Sequence, residues 1–107
     1  MGNMRINQNQ NIYFQASYKL IKPEDAQNIL VKKILPGLEA CGRDNVTHEI
    51  KTDDSGLLAM ILSTFVAPKQ PAFQVFKRFD LNSPENISLK MDELRKWIID
   101  KESQSIT

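Results

Sequence analysis

The chain has 107 residues, of which 41% are apolar and 25% charged, and a formal net charge of +1. That length suits one hydrophobic core, and the near-zero charge excludes a strong field steering the protein to nucleic acid or to an anionic membrane. A single cysteine, Cys41, and a single histidine, His48, exclude an internal disulfide and a cysteine-histidine metal cluster.

Residues 1–11 are polar and rich in Asn and Gln, lack the charged start and apolar core of a secretory leader, and are expected to form a disordered arm. From Ile12 to Leu20 the residues Ile12, Phe14, Ala16, Tyr18 and Leu20 alternate with more polar neighbours, the period of a strand with one buried face. Pro23 presets a helical φ and Glu24 and Asp25 complement the positive end of a helix dipole. Ala26, Ile29, Leu30, Ile34, Leu38 and Cys41 then recur at helical spacing, so a helix is predicted from about Pro23 to Cys41. Pro36 predicts a kink or break near Leu35, and Gly42 predicts the stop.

Val46, His48 and Ile50 alternate with Thr47, Glu49 and Lys51, a second one-faced strand. The polar turn Thr52 to Gly56 joins it, as a hairpin, to the apolar run Leu57 to Val66. That third strand is apolar on both faces and has to be covered twice. Pro68 and Pro71 interrupt the ladder, and Ala72 to Asp80 resumes extended structure. Ser83 is an N-cap ahead of Pro84, and Ile87, Met91, Leu94, Trp97 and Ile98 form the stripe of a second helix ending near Lys101.

The order β-α-β-β-β-α predicts an α+β fold, a four-stranded, mostly antiparallel sheet with two helices packed on one face. It forms a single domain over residues 12–101, with a frayed polar tail at 102–107.

With the helices on one side, the far face is expected to expose apolar groups of the third and fourth strands, assigned to Leu57, Ile61, Phe65 and Phe76. The leading expectation is therefore a non-catalytic protein-interaction or accessory module that forms a homodimer or binds another protein through that face. Nucleic-acid binding is an alternative, because the run Phe73 to Phe79 interleaves aromatic and basic residues, with Lys77, Arg78 and Phe79 as its carriers. Another alternative is a small enzyme or ligand carrier with His48 in a pocket. Asp53, Asp54 and Ser55 lack the spacing of a calcium loop and read as a solvated turn, so no metal is expected. Cys41 reads as a buried structural thiol. No cofactor fingerprint, nucleophile elbow or membrane-length apolar stretch occurs, which implies no cofactor, no membrane partner and a reducing, cytoplasmic setting.

Overall fold

The structure, a computed structural model, describes residues 15–106. The arm expected over residues 1–11 and the first part of the first strand, residues 12–14, lie outside the described residues. Among these, β1 (Ser17–Leu20) is followed by a 3-10 turn (Pro23–Gln27), α1 (Ile29–Glu39), β2 (Val46–Thr52), β3 (Leu58–Phe65), β4 (Phe73–Asp80) and α2 (Pro84–Ile106). The sheet order is β1-β2-β3-β4, with β1 parallel to β2 across the helical crossover and the other neighbours antiparallel. The α+β architecture and its element order agree with the sequence reading.

The first helix departs from expectation at its start. Asn28 is extended (φ −79°, ψ 114°), and its side chain accepts from the amides of Leu30 (2.9 Å) and Val31 (3.2 Å). Asn28 thus serves as the N-cap of α1, satisfying amides that have no partner within the helix. The segment ahead of it tightens into the 3-10 turn. Pro36 lies inside α1, which runs through it to Glu39, so the break falls at Asn28 and not near Leu35. Gly42 follows with φ +123°, a left-handed conformation reserved in practice for glycine.

In α2, Ser83 caps as expected, its hydroxyl accepting from the Asn86 amide (3.2 Å). The helix continues beyond Lys101 to Ile106, where a frayed tail was predicted. Lys101 holds this last stretch against the sheet, with its ammonium 4.7 Å from the centre of the Phe73 ring.

Both helices cover the same face of the sheet. Val31, Ile34 and Leu38 of α1 and Met91, Leu94 and Ile98 of α2 are buried against Val46 and Ile50 of β2, Ala59, Ile61 and Phe65 of β3, and Phe79 of β4. Fully burying side chains of this size stabilises the fold by about 1.5–3 kcal/mol each. The outer face of the sheet has no described element over it.

Candidate functional site

Side chains paired across a ladder point to the same face, so the strand register lays out the open face row by row. One row is polar: Ser17, Thr47, Thr64 and Gln74. Its members bond one another, Ser17 Oγ to Thr47 Oγ1 at 3.2 Å and Gln74 Nε2 to Thr64 Oγ1 at 3.1 Å. The next row is Lys19, Glu49, Leu62 and Phe76, and the one after it Lys51, Met60 and Arg78. Ile21 closes the β1 end, where it lines a shallow apolar depression with Glu49, Lys51, Met60, Leu62 and Phe76. The face is therefore graded, hydroxyls and amides at one end and hydrophobes ringed by charge at the other. Phe76 remains 51% exposed and Ile21 43%. Glu49, Lys51 and Arg78 form no ion pair among the described residues.

No protein-family model, curated protein or solved structure matches this chain.

Of the four residues expected on the open face, the structure puts only Phe76 there. Ile61 (0% exposed) and Phe65 (1%) point the other way, into the core beneath the helices. The reason is register. Ile61 pairs with Ile50 and Phe65 with Val46, so both share the covered face of β2. Leu57 precedes β3 in the turn, 39% exposed at the sheet's end. The residues that do line the open face of β3 are Leu58, Met60 and Leu62, which the sequence reading left on the opposite side.

The aromatic and basic strand is split in the same way. Phe79 is buried at 0% exposure, so it offers no ring for a base to stack on. Lys77 also faces the helices, where its ammonium meets Glu93 Oε1 of α2 at 2.7 Å. That contact, mainly its hydrogen bond, holds the Glu93 carboxyl below the usual carboxylate range. Arg78 alone of the three is free on the outer face. The geometry does not gather Lys77, Arg78 and Phe79 into a nucleic-acid surface.

His48 is fully buried between the sheet and α1. Its Nε2 lies 2.9 Å from the Cys41 carbonyl oxygen, which only accepts, so Nε2 carries the proton. Nδ1 is then the acceptor for the Ser63 hydroxyl at 2.7 Å. Burial lowers the His48 pKa, partly opposed by the Cys41 carbonyl. Both ring nitrogens are thus committed to the fold, and the ring lines no described cavity. Cys41 is buried as well, and desolvation pushes its thiol pKa up, which disfavours the reactive thiolate.

A second polar cluster ties the β2–β3 turn to the crossover. The Asp25 carboxylate, buried in the 3-10 turn, accepts from the Thr52 amide (3.0 Å) and the Thr52 hydroxyl (2.5 Å). Asn28 Nδ2 donates to the Gly56 carbonyl at 2.9 Å. In the turn itself Asp53 Oδ1 accepts from Ser55 Oγ at 2.7 Å, a bond that lowers the Asp53 pKa. Among the described residues no three His, Cys, Asp or Glu side chains stand close enough to hold a metal ion, and no helix is long and apolar enough to cross a membrane.

Proposed function

We propose that this chain is a non-catalytic interaction module that docks a protein surface on the open face of its sheet. The observation that carries the reading is the cluster of half-buried Met60 and Leu62 with exposed Phe76 on neighbouring strands, on the face with no described element above it. Removing contiguous apolar surface from water is the main driving force of protein association, and a rim of charge fixes orientation. Lone exposed hydrophobes elsewhere, such as Leu89 and Ile99 on α2, need no such account. The catalytic alternative loses its support with His48, whose nitrogens are both engaged inside the core. The proposed compartment is a reducing one, the cytoplasm by default, on the strength of the lone thiol Cys41.

The test compares three variants of the purified chain. Phe76→Lys and Leu62→Asp are expected to abolish assembly, with itself or with a stoichiometric co-purifying protein, while leaving the thermal midpoint nearly unchanged. Leu89→Asp should leave assembly intact. The reading fails if the two sheet variants assemble as the parent does.

A further inference from the structure

Two rows of the open face are mutually complementary. Glu49, Leu62 and Phe76 occupy one, and Lys51, Met60 and Arg78 the next, column by column on β2, β3 and β4. A two-fold axis lying in the face and crossing the strands between these rows exchanges them. It sets Glu49 over the Lys51 of a second copy, Leu62 over its Met60, and Phe76 over its Arg78. These three juxtapositions are favourable, an ion pair, a hydrophobic contact and a guanidinium on an aromatic ring, while the β1 column sets the Lys19 of one copy over the Ile21 of the other. Because the interface is isologous, each contact occurs twice.

From this pattern we infer that the occupant of the open face is a second copy of this chain, seated face to face about that two-fold axis. The inference rests on the docking reading above and adds the identity and geometry of the partner. Glu49 and Lys51 stand two residues apart on one face of β2, and neither has an ion partner among the described residues. Within the dimer both charges are met. A formal net charge of +1 leaves little repulsion between copies. The alternative axis, parallel to the strands through β3, sets Lys51 over Arg78 and is disfavoured by like charge. Four strands about 4.8 Å apart, of which β3 and β4 have eight residues and β1 only four, project a face of at most roughly 20 by 27 Å at about 3.4 Å per residue. A face of that extent lies at the small end of specific interfaces, so the dimer is weak and reversible.

Sedimentation equilibrium over a wide concentration range tests the inference through charge reversal. Glu49→Lys and Lys51→Glu each place like charges opposite one another twice and are expected to weaken the dimer at least about tenfold. The Glu49→Lys/Lys51→Glu double variant restores the pairing and should recover most of that loss. As a second readout, a Met60→Cys chain mixed with a Leu62→Cys chain should cross-link with a short bis-maleimide faster than either chain alone, the native Cys41 being buried. A chain that stays monomeric throughout overturns the inference, as does a double variant no better than the singles. If Phe76→Lys dissociates a dimer that charge reversal does not rescue, the two-fold geometry is wrong while the docking face stands. A dimer indifferent to Phe76→Lys, which faces Arg78 of the second copy with like charge, refutes both.

Discussion

Ser63 Oγ donates to Nδ1 of His48 across 2.7 Å, two side chains that the register sets directly opposite each other on the covered face of the sheet. This pair makes stability depend on pH. Burial holds the folded-state pKa of His48 below its ordinary 6.5, so the unfolded chain takes up a proton at a pH where the folded chain does not. The stabilisation is complete above that ordinary value and is lost as pH falls through the depressed one. Urea denaturation at about pH 7.5 and about pH 5.5 should show a lower midpoint in acid, with a shallower drop in His48→Gln. Ser63→Ala, which leaves Nδ1 buried without a donor, is expected to cost about 1–3 kcal/mol.

Gly42 and Gly37 should respond unequally to alanine. At Gly42, with φ +123°, a Cβ would lie 2.7 Å from both Cβ and Cγ2 of Val46, a β-branched neighbour fixed in the core. Strain in backbone and packing together predict a loss of at least about 1–3 kcal/mol. At Gly37 the nearest atom is the terminal methyl of Met91 at 2.9 Å, which can swing aside. Gly37→Ala in mid-helix should change stability by no more than about 1 kcal/mol, in either direction. Denaturant midpoints separate the two.

The Asp25 carboxylate accepts from the buried Thr52 amide, so removing it leaves that donor unsatisfied. Asp25→Ala is expected to destabilise by about 2–3 kcal/mol. Asp25→Asn, which keeps one accepting oxygen, should lose less. Calorimetric midpoints of the two variants check the order.

Phe65 and Phe76 provide the sharpest test of which face is covered. Phe65→Ala removes a core ring and should cost about 3–5 kcal/mol. Phe76→Ala should change monomer stability by under about 1 kcal/mol, acting on assembly instead. Equal losses at the two positions would mean that something other than a partner covers the outer face.

The element types were legible in the sequence because alternation and capping act locally: His48 between Val46 and Ile50, and Ser83 ahead of Pro84, say what they are without tertiary help. The face of β3 was not. Leu58, Met60 and Leu62 are as apolar as Ala59, Ile61 and Phe65, so alternation alone gives no preference. Pairing across the turn decides it, since the one-faced β2 sets Val46 against Phe65 and Ile50 against Ile61. His48 also explains Ser63, a polar residue on the inner face because the histidine needs a donor. The start of α1 was missed for a different reason. Apolar spacing runs unbroken from Ala26, and only the capping chemistry of Asn28 reveals the interruption. Lys77 looked like a basic contact because its partner, Glu93, is distant in sequence and reaches it only through the fold.

The bonds from Asp25 to Thr52 and from Asn28 to Gly56 join segments 27 and 28 residues apart in the chain. The turn therefore cannot open by itself, for exposing the Thr52 amide to solvent means releasing the crossover as well. In hydrogen exchange the two should behave as one cooperative unit, the Thr52 amide exchanging in step with those of Leu30 and Val31 and not with the outer end of the β3–β4 ladder. The parallel β1–β2 pair, the costliest connection to close during folding, is thus latched by side chains at the point where its loop returns to the sheet.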